Sequence, residues 1–151
     1  MAIQFEYIKQ LSAKFFQPEK AGAQLDSQRL HGKRILLVED NRVHQLMVGI
    51  MLTNLGMNLA VAENGKLAIE SIKTGEYDMV LMDIQMPVMN GLEATRLLRQ
   101  HADFKRLPVV GMSAGMMQDE AGEAVRAGMN GFVAKPVNII KLTSELLNAC
   151  I

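Results

Sequence analysis

The sequence holds a single cysteine among 151 residues. It is Cys150, one residue from the end, so no internal disulfide can form, and a reducing, cytoplasmic-type compartment is the default expectation. Net charge is missing as well. Sixteen Lys and Arg balance 16 Asp and Glu, leaving no basic field to displace counterions, so no direct nucleic-acid partner is expected. Long apolar runs are also lacking. The longest, Leu46 to Leu52, falls far short of the ~20 residues of a membrane span. Glu6, Lys9 and Lys14 interrupt anything resembling a signal peptide. No fixed-period repeat and no low-complexity segment occurs. The length suits one domain, able to bury roughly two-thirds of its unfolded surface in one core.

From Lys33 onward, short β-type runs alternate with helical patterns. Strands are predicted at Arg34 to Val38, Met57 to Ala62, Tyr77 to Met82, Pro108 to Met112 and Gly131 to Ala134. Helices are predicted at Asn41 to Leu55, Asn64 to Thr74, Asn90 to about His101, Met116 to Ala127 and Asn138 to Ala149. Gly56, Gly75 and Gly128 serve as stops. Strict β-α alternation with continuously apolar strands predicts an α/β fold, a five-stranded parallel sheet with helices on both faces. Residues 1–31 differ and read as an N-terminal arm or linker. Ile8, Leu11 and Phe15 have the spacing of a short amphipathic helix, and Gln24 to Gly32 reads as linker. A packing arm and a docking or dimerisation helix both stay open.

The polar residues at the strand ends carry the chemistry. Glu39 and Asp40 come after the first strand, Asp83 after the third, Ser113 after the fourth, and Lys135-Pro136 after the fifth. In an open α/β sheet all of these face one crevice, where such folds bind ligands. Three carboxylates brought together raise one another's pKa unless a cation holds them. Hard oxygen donors with room for water suit Mg²⁺. A site with carboxylates, a metal and an ammonium can host a dianionic phosphoryl group that acids alone would repel.

Leu37-Val-Glu-Asp-Asn41, Met82-Asp-Ile-Gln-Met-Pro-Val-Met-Asn-Gly91, Met112-Ser-Ala114 and Ala134-Lys-Pro136 resemble the four signature segments of the response-regulator receiver domain. They occur in that family's order, and their local flavour is similar to receiver domains of hybrid sensor histidine kinases. The resemblance covers about residues 33–149 and implies a (βα)5 flavodoxin-like fold, with a receiver domain at 32–151 after the arm. It implies that Asp83 takes a phosphoryl group from a phosphohistidine. Asp40 and Asp83 would bind Mg²⁺ directly, Glu39 through water, and Gln85 through its backbone carbonyl. Lys135 would neutralise the transferring group, and Ser113 and the Ala114 amide would donate to it. Ser113 and Phe132 would act as the switch pair, and Lys135-Pro136 would be a cis peptide. The implied partners are a histidine kinase or histidine phosphotransfer protein as donor and a downstream protein. The implied role is a signalling switch that catalyses only its own phosphorylation and dephosphorylation.

Ser113 stands where Thr is commoner, Phe132 lacks a Tyr hydroxyl, and His44 stands where Asn is frequent and reads as a surface residue. Gly115 leaves access to the phosphoryl group open. Met79, Met82 and Met112 read as core filling, Met116 and Met117 as core or an adaptable surface. Asp119, Glu120, Glu123 and Arg126 form a charged helical face. A receiver excised from a hybrid kinase and acting in a phosphorelay is an alternative. An aspartyl-phosphate phosphatase would need an acid at position 85, which is Gln. A flavin or nucleotide site would not place Glu39 and Asp40 after the first strand, and a chemically silent receiver would not keep every charged group.

Overall fold

The computed structural model describes residues 27–114 and 119–150. Its strands are β1 Arg34–Val38, β2 Asn58–Ala62, β3 Met79–Asp83, β4 Val109–Ser113 and β5 Gly131–Ala134. Its helices are α1 Arg42–Asn54, α2 Gly65–Thr74, α3 Gly91–Gln100, α4 Glu120–Ala127 and α5 Ile139–Ala149, with a 3₁₀ turn at Ala102–Phe104. The five strands form one parallel sheet in the order β2-β1-β3-β4-β5. The strand order reverses between β1 and β3, which opens a crevice at their C-terminal ends.

Alternate strand residues face opposite sides, and each side meets its own helices. Ile35, Leu37, Met79, Leu81, Val110 and Met112 pack with Val48 and Leu52 of α1 and Leu142 and Leu146 of α5. Leu36, Val38, Val80, Met82 and Val109 pack with Ala68 and Ile72 of α2, Ala94 and Leu98 of α3, and Ala124 and Ala127 of α4. Burying each large side chain contributes about 1.5–3 kcal/mol. The three strand methionines are core residues, as expected.

Four helices begin with an asparagine cap. The side-chain oxygens of Asn41, Asn64, Asn90 and Asn138 accept backbone N–H groups of the first turns of α1, α2, α3 and α5. Each such cap contributes about 1 kcal/mol. The cap fixes where each helix leaves the C-terminal edge of the sheet, and therefore where the site loops lie.

The structure revises several expectations. Asp83 and Ser113 close β3 and β4 instead of following them, because the ladder continues with the Ile84 N–H donating to the Met112 carbonyl at 2.9 Å. The expected fourth helix is described from Glu120, with Asp119 as a non-helical flank. Glu120 is buried at 5% exposure, so it does not belong to that helix's solvated charged face. Leu30, read as linker, is wholly buried in the α1–α5 cluster. It is carried there by a turn in which Gly32 N–H donates to the Gly56 carbonyl at 2.8 Å. The expected helix at Ile8 to Phe15 and the readings of Gly115, Met116 and Met117 lie outside the described residues.

At the opposite end of the sheet, Arg99 ties four elements together. Its guanidinium donates to the Gly128 carbonyl at 2.9 Å, the Phe104 carbonyl at 2.6 Å and Asn130 Oδ1 at 2.8 Å. Asn130 Oδ1 also accepts Val109 N–H at 2.9 Å. Burial lowers the Arg99 pKa from its ordinary value. Gly128 sits at φ +103, and a Cβ there would press on the Arg99 stem, so α4 must end in glycine for the clamp to close. Replacing Arg99 with Met keeps the stem and removes the donors. The expected result is a loss of about 2 kcal/mol, read as a lower urea midpoint with an unchanged slope. The carboxylates and lysine at the far edge should keep their arrangement.

Candidate functional site

The register of the sheet dictates which side chains meet. Val38 pairs with Met82, so the next residues, Glu39 and Asp83, emerge side by side at the C-terminal edge. Ser113 pairs with Ala134, which puts Lys135 one step beyond the end of β4, where its N–H donates to the Ser113 carbonyl at 2.6 Å. Lys135 then reaches across the crevice. Its Nζ lies 2.7 Å from Glu39 Oε2 and 3.0 Å from Asp83 Oδ2. Residues 39, 83 and 135 thus meet in one ion-paired group, as the sequence predicts.

The group is deeply set. Glu39 is fully buried and Asp83 is 3% exposed. Glu39 also accepts the Asn41 N–H at Oε1, 3.2 Å, and Asp83 accepts the Gln85 N–H at Oδ1, 3.2 Å. Burial, the largest influence, and the nearby Asp83 charge push the Glu39 carboxyl up, against the lowering effect of Lys135 and Asn41. For Lys135 burial alone would lower the ammonium, but hydrogen bonds to Glu39 and Asp83 and their charges together leave its pKa raised. One cation faces two buried anions. Without a further positive charge the negative side is in excess.

Glu39, Asp40 and Asp83 each present a carboxylate oxygen, and these atoms lie within 4.8 Å of one another. Two of the three residues are buried and Asp40 is exposed, so the cluster opens toward water on one side. An all-oxygen set with a solvent-facing side fits Mg²⁺, which keeps several waters. The structure thereby brings together the three carboxylates and the ammonium expected from sequence. Ser113 is fully buried at the end of β4, Ala114 follows it exposed, and Phe132 is half-buried against the α2–α3–α4 cluster. Lys135-Pro136 is cis, as expected.

Other residues shape the site without having been singled out for it. Gln45 is 2% exposed, and its Nε2 donates to the Glu39 carbonyl at 2.6 Å. This bond holds the turn that presents Glu39 and Asp40. Its signal in the sequence is a polar residue on the buried stripe Gln45, Val48, Gly49, Leu52 of α1, where only a satisfied amide is tolerated. Gly91 opens α3 against β3, and a Cβ there would collide with the Asp83 carbonyl. His44 is 46% exposed, yet its Nδ1 lies 3.7 Å from Glu39 Oε1, so it stands at the rim of the site and not on a remote surface. Val88, in the loop after β3, has φ 70. For a β-branched residue this is a strained conformation, costing about 1–3 kcal/mol.

Two outcomes follow from this balance. A raised Glu39 pKa means that the folded, metal-free protein binds that proton more readily than the unfolded chain does. The ionised group therefore costs stability above its ordinary titration range, and the cost shrinks as pH falls through the raised value. Glu39→Gln is expected to raise the metal-free thermal midpoint at neutral pH by about 2 °C, with the gain fading in acid. A lower metal-free midpoint would instead make the Lys135 pair the dominant force. Gln45→Leu keeps the helix face apolar but strands the Glu39 carbonyl, costing about 1–3 kcal/mol. It should also weaken Mg²⁺ binding severalfold in a calorimetric titration. An unchanged metal affinity would free the turn from dependence on Gln45.

Comparison with known proteins agrees with this geometry. Residues 35–147 match the family model of the response regulator receiver domain. Histidine kinase 5 of Arabidopsis thaliana is 32% identical over 150 residues, covering 82% of this chain and 16% of the kinase; the chain thus spans about one-sixth of that relative. The receiver domain of sensor histidine kinase PA1611 from Pseudomonas aeruginosa PAO1, solved with a magnesium ion coordinated in its active-site cleft, is 36% identical. That match has a TM-score of 0.70 over 77% of this chain and 94% of the other. The receiver domain of Ssk1 from Saccharomyces cerevisiae, solved with the histidine phosphotransfer protein Ypd1, is 27% identical with a TM-score of 0.70, over 77% of this chain and 87% of that one. With its sheet order, its strand-end carboxylates and its lysine in place, the chain belongs to the response regulator receiver domain family.

Proposed function

We propose that this receiver domain takes a phosphoryl group from a phosphohistidine onto Asp83 in a Mg²⁺-dependent reaction and thereby changes its affinity for a protein partner. The observation that carries the reading is the ion-paired group of Lys135 with Glu39 and Asp83, 2.7 and 3.0 Å apart, beside the open carboxylate Asp40. In the transfer the P–N bond to the imidazole breaks and a P–O bond forms to an Asp83 carboxylate oxygen, giving an acyl phosphate. The Gln85 N–H on Oδ1 holds the Asp83 carboxylate in place. Lys135 balances negative charge on the incoming group at the cost of its contacts to the carboxylates, so positioning and electrostatics carry the reaction. Asp40, Asp83, the Gln85 carbonyl and, through water, Glu39 would hold Mg²⁺. The metal, when bound, supplies the positive charge that the buried carboxylates and a phosphoryl group both require.

After transfer, the Ser113 hydroxyl and the Ala114 N–H donate to phosphoryl oxygens, and Phe132 repacks as Ser113 moves. The magnesium in the PA1611 receiver domain supports the metal assignment, and the Ssk1 receiver domain with its histidine phosphotransfer protein supports the donor class. Residue 85 offers a backbone N–H to Asp83 and no acid, which gives an aspartyl-phosphate phosphatase no proton donor there. The domain thus acts as a switch and turns over no separate substrate. No helix of the described residues is long and apolar enough to cross a membrane. A reducing, cytoplasmic-type compartment fits the lone, unpaired Cys150.

Incubation with acetyl phosphate and Mg²⁺ should add the mass of one phosphoryl group, mapped to the peptide that contains Asp83. Asp83→Asn should fold normally and gain no mass under the same conditions. Labelling of that variant to the wild-type extent would overturn the nucleophile assignment. Chelation of the metal should slow labelling by at least about 100-fold, in keeping with the contribution of preorganised charge to such transfers.

A further inference from the structure

Helix α1 sets an imidazole against the carboxylate cluster. His44 lies in the first turn, four residues past Asp40. Its backbone N–H donates to the Asn41 cap at 3.1 Å, which fixes where the side chain starts. Its Nδ1 ends 3.7 Å from Glu39 Oε1. That is too long for a hydrogen bond, so the two atoms stand close without being bonded. The His44 side chain is 46% exposed and that of Glu39 only 1%. One donor therefore comes from inside the site and the other from its solvent side.

The spacing suits a shared ion. Two donors that bind one zinc-sized ion, each at about 2.0–2.2 Å, lie roughly 3–4 Å apart. Glu39 is also one of the three residues, with Asp40 and Asp83, whose carboxylate oxygens lie within 4.8 Å of one another. His44 thus adds a nitrogen beside a set that is otherwise all oxygen. The difference is chemical. Mg²⁺ takes hard oxygen donors, whereas zinc-type ions bind imidazole well. A purely structural task does not suit this ring, which makes no hydrogen bond to Glu39 and is too exposed to fill the core.

We propose that His44 is a ligand for a divalent transition-metal ion of the zinc class, which enters the carboxylate site between His44 Nδ1 and Glu39 Oε1 and competes there with Mg²⁺. The inference rests on the metal assignment proposed above and extends it. One site takes a hard ion through oxygen alone and a borderline ion with the help of a nitrogen.

Calorimetric titrations with Zn²⁺ and with Mg²⁺, all at one pH, test this. They compare the unaltered His44 with His44→Asn, His31→Asn and His101→Asn. Every chain carries Cys150→Ser, so that its one thiol does not compete for zinc. His44→Asn should weaken Zn²⁺ binding by about tenfold or more and leave Mg²⁺ affinity within about twofold. The variants at 31 and 101 should bind both ions as the chain with all its histidines does. In that chain Zn²⁺ should also lower the apparent affinity for Mg²⁺ and shift the His44 ring-nitrogen resonances, Nδ1 most. Unchanged Zn²⁺ affinity in His44→Asn would overturn the proposal. So would an equal loss for both ions, which would make His44 a support for the Glu39 carboxylate and not a ligand. Binding of Mg²⁺ without binding of Zn²⁺ would remove His44 from metal binding while the carboxylate site stands. Binding of neither ion would remove that site as well.

Discussion

Lys135 holds together two carboxylates that would otherwise drive each other apart. Glu39 and Asp83 are both buried, and the parallel register of β1 and β3 leaves them no choice of neighbour. A single ammonium bridges them, and it too has left bulk water. Without the lysine two buried anions would face each other uncompensated, far more costly than never having buried them, so the strand-end constellation depends on this ammonium. The bridge also leaves the site short of positive charge, since the Glu39 pKa stays raised despite the lysine. A fold that sought only stability would put apolar side chains here. Retention of the anions makes sense if a metal ion completes the balance and so lets a further anion enter.

Much of this was legible in the sequence because it is written in local patterns. Continuous apolar runs marked the five strands, and asparagines marked four helix starts. Residues at or just past the ends of parallel strands must share an edge, so Glu39, Asp83 and Lys135 could be brought together across a sequence separation of 96 before any distance was known. What escaped depends on contacts or backbone angles that leave no periodic trace. Arg99 is by residue type one more charge in the last turn of α3, yet it is anchored by carbonyls from two other segments. Leu30 lay beyond the alternating pattern, and only the turn at Gly32 carries it into the core. Val88 followed a proline in a segment whose left-handed conformation nothing in the residue type announces. Gln45 did leave a trace, as the lone amide on the buried stripe of α1.

The two ends of the sheet are built for opposite purposes. At the N-terminal end of β4, Arg99, Asn130 and Gly128 form a hydrogen-bonded knot that fixes α3 against α4. At the C-terminal end the charges are imperfectly balanced, one loop is strained, and α4 begins with a buried carboxylate. Glu120 Oε2 has no hydrogen-bond partner among the described residues. Satisfied polar networks make a region rigid, and unsatisfied ones mark where a second arrangement is cheap to reach. The imbalance is therefore localised where the proposed chemistry occurs, and the clamp keeps it from loosening the rest of the domain.

This division bears on how a phosphoryl group could be felt beyond Asp83. Lys135 cannot keep short contacts to Glu39 and Asp83 and also face a new dianion. Whatever it releases must be taken up by the metal or by movement of the chain. Its own backbone N–H is bonded to the Ser113 carbonyl at 2.6 Å, and Phe132 lies three residues earlier on β5 against the α4-side core. A shift of the ammonium is thus linked by covalent chain and hydrogen bond to the hydroxyl and the aromatic ring that the proposed switch uses. Such a linkage transmits a change only if it has two arrangements of similar energy. The competition for one lysine between resident carboxylates and an incoming phosphoryl group supplies the physical basis for two such arrangements. A bystander cation on the rim could stabilise the phosphorylated state equally well, but it would have no contact to give up, and so nothing to report.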